Sequence, residues 1–319
     1  MAPKLDEFGR IARYFAPLAA GFPGALGLTD DAALVDPGEG RELVVTTDAL
    51  VAGVHFRNQD PPDLVARKSL RVNLSDLAAM GAEPVCYTLA TILPDACGED
   101  WLASFVRGLA ADQAEFGIAL AGGDSVWTPG PVTLSITALG RVAKGRALRR
   151  SGARPGDRVY VSGTIGDGAL GLAALAGRIA DDGSLADRYL LPRPRLGLGQ
   201  ALIGIATAAL DVSDGLVADL GHIADTSGVR VAIEAERVPL SAAARSALAA
   251  DGRLIETILT GGDDYELAFT SGRVLPETVA GVPVTCIGRV EAGSGVAVLD
   301  REGHPVTLAA GGYQHFRAT

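Results

Sequence analysis

The stretch V-N-L-S-D-L-A-A-M-G-A-E-P, residues 72–84, limits what this chain can fold into more than any other. Leu70, Leu74, Leu77 and Ala78 fall at i, i+4, i+7 and i+8, the apolar stripe of a helix laid against a core. Asn73 and Asp76 are three apart and share a second face of that helix. Gly81 stands where a helix ends, and Pro84 follows shortly after. A carboxylate held on a packed helix, beside a carboxamide, is how a rigid metal site begins. A solvated helical Asp beside a satisfied Asn has the same pattern.

Around this helix the chain alternates strands and helices. Residues 5–20 read as a short amphipathic helix, 42–47 as a strand running into Asp48, and 48–62 as a loop carrying His55. A strand over 85–93, a helix over 100–117, a short strand over 118–121 entering a G-G-D turn, and an alternating strand over 131–142 complete the first half. The basic run 144–157 reads as a linker. Beyond it, strands are expected at 158–162, 209–213, 229–234, 265–270, 284–290 and 296–299. Helices are expected near 168–180, 195–208, 215–227 and 241–250. Both halves therefore mix strand and helix, and 319 residues suit two domains.

Composition excludes several functions. The net charge of −10 argues against a nucleic-acid surface and is compatible with carboxylates gathered for cations. No apolar run reaches the roughly 18 residues that would span a bilayer, so no membrane partner is expected. The start, M-A-P-K-L-D-E-F-G-R, lacks the pattern of a signal peptide. Cys86, Cys97 and Cys286 are widely spaced without C-x-x-C, which fits a reducing cytoplasm rather than a disulfide framework or a zinc site.

Aspartates recur at strand ends and turns: Asp30-Asp31, Asp48 after Thr46-Thr47, Asp76, Asp124 after Gly122-Gly123, Asp211 and Asp214 in D-V-S-D-G, and Asp263-Asp264. One Asp at a turn usually caps backbone N–H groups. So many brought together would repel unless cations neutralised them, and hard cations such as Mg²⁺ take oxygen ligands of this kind beside phosphates. The sum points to a multi-metal polyphosphate site. Residues 166–171 match G-x-G-x-x-G after a strand, but no apolar strand ending in a ribose-binding acid follows. A plain strand-to-helix turn or a phosphate-binding helix N-terminus remain as readings of that loop. Neither a G-x-x-x-x-G-K-[ST] loop nor an H-R-D and D-F-G pair occurs. Arg146, Arg149 and Arg150 are counter-charges for phosphates or a solvated linker.

Taken in order, D-D-A-A-L, T-T-D-x-L-V-x-G-V-H-F, V-N-L-S-D-L-A-A-M-G-A-x-P, G-G-D-S, L-x-R-S-G-A-x-P-G-D, V-S-G-T-x-G-D, D-V-S-D-G-L-x-x-D-L-G-H-I, G-G-D-D-Y-E-L and G-Y-Q-H-F resemble the thiamine-monophosphate kinase family from about Phe8 to Phe316. That family is related to aminoimidazole ribonucleotide synthetase, selenophosphate synthetase and a hydrogenase-maturation protein. The resemblance implies an α/β chain. Residues 1–148 would form an α+β, ATP- and Mg-binding domain whose mixed sheet pairs with a second copy into an intersubunit β-barrel. Residues 149–319 would form a C-terminal α/β domain, and ATP would lie in the cleft between the two domains. The implied reaction is ATP-dependent phosphorylation of thiamine monophosphate to thiamine diphosphate, with several Mg²⁺ ions and a homodimer. Position by position, Asp31, Thr46, Thr47, Asp48, Asp76, Asp124, Asp211 and Asp214 match the family's metal ligands. Gly122, Gly123, Arg150 and Ser213 match nucleotide contacts, and His55, Asp263 and Tyr313 match substrate contacts. No general base is implied. Two departures stand out: Thr29 replaces a glycine in the usual G-x-G-D-D turn, and Asp263 replaces a glutamate.

Overall fold

The computed structural model describes residues 7–29, 32–308 and 312–313. The chain divides into two compact units, residues 1–77 with 83–145, and residues 78–82 with 146–319.

The first unit opens with a helical segment, α1 (Glu7–Arg10) and α2 (Ala16–Ala19), joined by a π-wound turn at Ile11–Phe15. Its sheet is built from β1 (Arg41–Val51), β2 (Glu83–Leu93), β3 (Ala119–Trp127) and β4 (Thr133–Ala143) in the order β1-β4-β2-β3. The β1–β4 and β4–β2 pairs are antiparallel, and β2–β3 is parallel. A parallel pair needs a crossover, supplied here by α4 (Glu99–Phe116); α3 (Pro62–Ala79) links β1 to β2. Along β1 the side chains alternate as the period of two requires. Val44 and Leu50 are buried on the face that Thr46 and Asp48 share, while Leu43, Val45, Thr47 and Ala49 point to the exposed face.

α3 is more deeply packed than its stripe suggests. Leu70, Leu74, Leu77 and Ala78 are fully buried, but so are Ser69, Asn73 and Ser75 on other faces. On the face of Ser75, Arg71 forks onto the buried Asp112 of α4 with two 2.8 Å bonds, and Arg67 adds a third at 2.7 Å; on the opposite face Asn73 Nδ2 donates to Ser69 O at 3.0 Å. A buried carboxylate without those guanidinium partners would be costly.

Two strands of this unit run past their expected ends: β1 continues from Asp48 to Val51, where a loop is expected, and β3 is longer as well. β3 does not stop before Gly122-Gly123-Asp124 but runs through them to Trp127, paired with Leu89 and Ala90 of β2. A bulge between Tyr87 and Thr88 of the pairing, which leaves Ala121 as the extra residue, restores the register.

The second unit carries a larger mixed sheet of β5 (Arg158–Ser162), β6 (Ala208–Asp211), β7 (Arg230–Glu234), β8 (Leu267–Ser271), β9 (Thr278–Val279), β10 (Val282–Glu291) and β11 (Gly295–Leu299). Its main path is β11-β7-β10-β5-β8-β6, with β9 attached to β10. The helices are α5 (Asp167–Leu175), α6 (Ser184–Leu190), α7 (Leu196–Ala201), α8 (Leu216–Ser227), α9 (Ala242–Ala250) and α10 (Leu254–Thr260). Alternation along β5 sends Val159 and Val161 into a core with Leu170 of α5, Leu216 and Leu220 of α8, and Ile258 of α10. Tyr160 goes to the opposite face, stacked on Phe269 at 5.4 Å and packed with Leu198 and Leu202 near α7. Helices on both sheet faces make this an α/β unit. α6 and α10 are not expected from the sequence, and α7 is shorter than the expected helix.

Candidate functional site

In the first unit, Thr46, Asp48 and Asp76 come together. β1 turns Thr46 and Asp48 toward α3, and Thr46 Oγ1 donates to Asp76 Oδ2 in a short bond. Burial, and then the charge of Asp76, pushes the Asp48 carboxyl up to about 7. Two carboxylates on packed elements thus compete for charge. Thr47 points away: its hydroxyl donates to Ile136 O at 3.1 Å and accepts from Thr137 Oγ1 at 3.0 Å. On the Asp48 side Thr47 therefore has no hydroxyl to offer. Asp31, with Asp30, lies outside the described residues.

Asp124 sits on β3, with β4 and β2 between it and β1, and is not part of the Asp48–Asp76 pair. It is exposed and caps the backbone of Ser125 at 2.7 Å. Together with Gly122, Gly123 and Ser125 it edges a cleft of about 180 Å³ whose remaining walls are apolar, among them Ile11, Phe15, Leu28 and Leu89. The two glycines are bare for different reasons. A Cβ on Gly123 would lie 1.9 Å from Leu89 O, whereas one on Gly122 would meet nothing within 4 Å. Gly123 lets the strands pair; Gly122 leaves backbone open to an incoming group.

His55 lies in the tight turn after β1. Its Nδ1 accepts from Val51 N at 3.0 Å, and its backbone N–H donates to Val51 O at 3.0 Å. An acceptor role for Nδ1 puts the ring proton on Nε2, which makes that nitrogen a donor.

In the second unit, Asp211 ends β6 and is buried, and the loop to α8 carries Ser213 and Asp214 half-buried. The carbonyls of this loop reach outward in order. Val212 O accepts from Tyr265 N at 2.8 Å, Ser213 O from Asp263 N at 2.8 Å, and Asp214 O from Tyr313 N at 3.0 Å. Asp263 and Tyr265 both adopt left-handed backbone, at φ 62° and 51°. Such strain in non-glycine residues concentrates at functional sites. Ser213, Asp214, Asp263 and Tyr313 are therefore assembled on one loop. Arg150 is exposed on the segment before β5, with its carbonyl facing Ser227.

Among the buried acids that sequence reasoning misses is Asp219, and it reads Asp264 only as the neighbour of Asp263. Asp219, in the first turn of α8, accepts through Oδ2 from Ser213 N and Asp214 N at 3.0 Å and from Gly215 N at 3.2 Å. Burial, then the Asp214 charge, raises its carboxyl to about 7 against the pull of those three donors. Asp264 accepts from Gly166 N at 2.8 Å and Gly168 N at 3.0 Å, and burial raises it to about 8. The G-x-G-x-x-G loop is thus occupied by the chain's own carboxylate, which removes both the dinucleotide and the phosphate reading. The available signal for Asp219 was the acidic residue of D-V-S-D-G-L-x-x-D, five positions after Asp214 in the first turn of a helix, where acids are favoured.

Each of the two mixed α/β units carries its own acidic oxygens, on β1 and α3 in the first and on the β6–α8 loop in the second. Residues 29–142 match the AIR synthase related protein, N-terminal domain, and residues 154–300 match the AIR synthase related protein, C-terminal domain, so the chain belongs to the AIR synthase related family. Within it, the chain groups with the thiamine-monophosphate kinases. It is 47% identical over 320 residues to the thiamine-monophosphate kinase of Caulobacter vibrioides, covering 97% of this chain and 90% of that one. The crystal structure of thiamine-monophosphate kinase from Stenotrophomonas maltophilia K279a is 44% identical, with a TM-score of 0.79 over 88% of this chain and 91% of that one. AaThiL complexed with AMPPCP and TMP is 34% identical, with a TM-score of 0.79 over 90% of this chain and 91% of that one.

Proposed function

We propose that the chain transfers the γ-phosphoryl group of ATP to thiamine monophosphate, giving thiamine diphosphate and ADP. The observation that carries the chemistry is the Asp48–Asp76 pair, two carboxylates fixed on β1 and α3 with one pushed up to about 7. The likeness to a solved relative complexed with AMPPCP and TMP supports the choice of donor and acceptor.

The donor set fits hard divalent cations, because it is all oxygen and strongly acidic. Mg²⁺ would be held in the first unit by Asp31, Thr46, the Thr47 backbone, Asp48, Asp76 and Asp124, and in the second by Asp211 and Asp214. When bound, such ions neutralise the charge that builds between donor and acceptor phosphates. The chain's own groups do the rest. Gly122 and Gly123 admit the nucleotide to the β3 cleft, and Ser213 and Arg150 supply a hydroxyl and a positive charge for phosphate oxygens. His55 offers an N–H donor, and Asp263 and Tyr313, held against the β6–α8 loop by their backbone N–H groups, would face the acceptor. A phosphate monoester has its second pKa near 6, so the attacking oxygen is already anionic at neutral pH and needs no base.

No described helix is long and apolar enough to cross a membrane. The reaction belongs in the cytoplasm, where ATP is made available and the three free cysteines stay reduced. The active form is a homodimer formed through the exposed face of β1, where Val45 is 60% exposed.

The test is direct. Purified protein with Mg²⁺ and ATP should convert thiamine monophosphate, but not free thiamine, to the diphosphate. No diphosphate from thiamine monophosphate would refute the assignment. Asp76→Asn should lower turnover by about 100-fold or more with an unchanged far-ultraviolet circular dichroism spectrum; near-normal turnover would remove Asp76 from the site.

A further inference from the structure

Asp219 points inward, yet it lies under every second-unit residue given a role on the β6–α8 loop. The residue is only 3% exposed. One oxygen, Oδ2, gathers the backbone N–H groups of Ser213, Asp214 and Gly215. Three successive N–H groups converging on one point form a concave anion-binding nest. In this chain the anion is internal, carried by the first turn of α8, whose residue Asp219 also donates its N–H to Gly215 O at 3.0 Å.

With its N–H groups turned inward, the loop must turn its carbonyls outward. Those of Val212, Ser213 and Asp214 hold Tyr265, Asp263 and Tyr313 by their backbone N–H groups at 2.8, 2.8 and 3.0 Å. The last of these contacts is tight. Gly312 lies so close that a Cβ there would stand 2.4 Å from Ala218 Cβ and 2.9 Å from Asp214 O. Tyr313 and the glycine before it are thus seated on the loop and on the start of α8.

We infer that Asp219 is a positioning residue for phosphoryl transfer: it sets the β6–α8 loop so that Ser213 and Asp214 on one side, and Asp263 and Tyr313 on the other, are presented in fixed register. This rests on the proposed reading of those four residues. A helix cap that served stability alone would stiffen α8 without governing the seating of a segment almost a hundred residues further on in the chain.

The experiment uses the full chain carrying Asp219→Asn, which keeps an acceptor oxygen and loses the charge. Amide hydrogen exchange is followed in the ligand-free protein, alongside melting temperature and the KM and kcat for ATP and thiamine monophosphate. Charge-assisted bonds are about twice as strong as neutral ones, and 1.4 kcal/mol is a factor of ten. Exchange at residues 213–215 and at Tyr313 should therefore accelerate together by about tenfold. KM for both substrates should rise and kcat should fall by a similar factor, while the protein still melts cooperatively. Faster exchange at 213–215 with Tyr313 unchanged would overturn the inference. So would wild-type KM and kcat in a variant that merely melts lower. Should Asp219→Asn not fold, Asp219→Glu, which keeps the charge one methylene further out, takes its place: the same joint rise in exchange and the same kinetic losses are expected, and the same two results overturn the inference. Absence of turnover in the wild-type protein would count against the proposed reaction, and the joint exchange of loop and Tyr313 would still decide whether Asp219 seats them.

Discussion

At Gly122 and Gly123 two neighbouring glycines separate a folding requirement from a binding one. Gly123→Ala puts a Cβ into Leu89 O, and the strands must part to admit it. Overpacking of this kind costs about 1–3 kcal/mol, so Gly123→Ala should lower the melting temperature measurably. Gly122→Ala should melt like the wild type and weaken a nucleotide analogue by about tenfold in titration calorimetry, roughly 1.4 kcal/mol. Reversed outcomes would mean that the β3 cleft does not take the nucleotide. Residue chemistry was legible in the sequence where type alone decides it, as at Asp48 and Asp76. It was not legible at Thr47, whose side chain the strand period turns away from its neighbours, nor at Asp219, whose partners are backbone groups that no residue letter reveals.

The elements explain why buried acids are tolerated at all. Asp264 joins the segment before β8 to the N-terminus of α5 through Gly166 N and Gly168 N, and Arg188 lies against it with Nη2 3.3 Å from Asp264 O. Its carboxyl stands at about 8 in the folded protein against 3.8 ordinarily, burial being the main cause. Between those values the folded chain keeps a proton that the unfolded chain releases, so rising pH favours unfolding. The contribution is complete below about pH 4 and is lost as pH rises through 8. The ligand-free protein should melt at lower temperature at pH 8 than at pH 5, and Asp264→Asn should flatten that decline. A decline of wild-type size in the variant would assign it to other groups. The sequence showed most of these elements because their apolar periods are local: α3, α4, α8 and the β2 and β4 strands fall where expected. It did not show that β3 continues through Gly122-Gly123-Asp124, because strand pairing with Leu89 and Ala90, over thirty residues earlier, holds that segment extended. Nor did it show that the Ser75 face of α3 is buried, where Arg71 reaches Asp112 on another helix.

For the whole molecule, the exposed face of β1 has the largest consequence. Leu43 and Val45 stand out from an edge strand, 37% and 60% exposed, and an apolar edge of that kind is a surface proteins otherwise protect. If the proposed homodimer forms through this face, Val45→Glu should leave a monomer by light scattering, since a charge at the centre of a paired apolar face is left without a partner. An unchanged mass would show that this face is not the contact. The division into two mixed halves could be anticipated from the order of strand-like and helix-like stretches. The second sheet's order, β11-β7-β10-β5-β8-β6, could not, because it rests on pairings between strands far apart in the chain. For inhibitor discovery, the carboxylates of Asp219 and Asp264 have a practical result. Sulfate-like and phosphate-like fragments usually find free N–H groups at helix N-termini, but in the loops before α5 and α8 those groups are already taken by carboxyl oxygens of the chain itself. Fragment screens against this chain should therefore return few hits there, and compounds of real selectivity will come from the apolar walls of the β3 cleft.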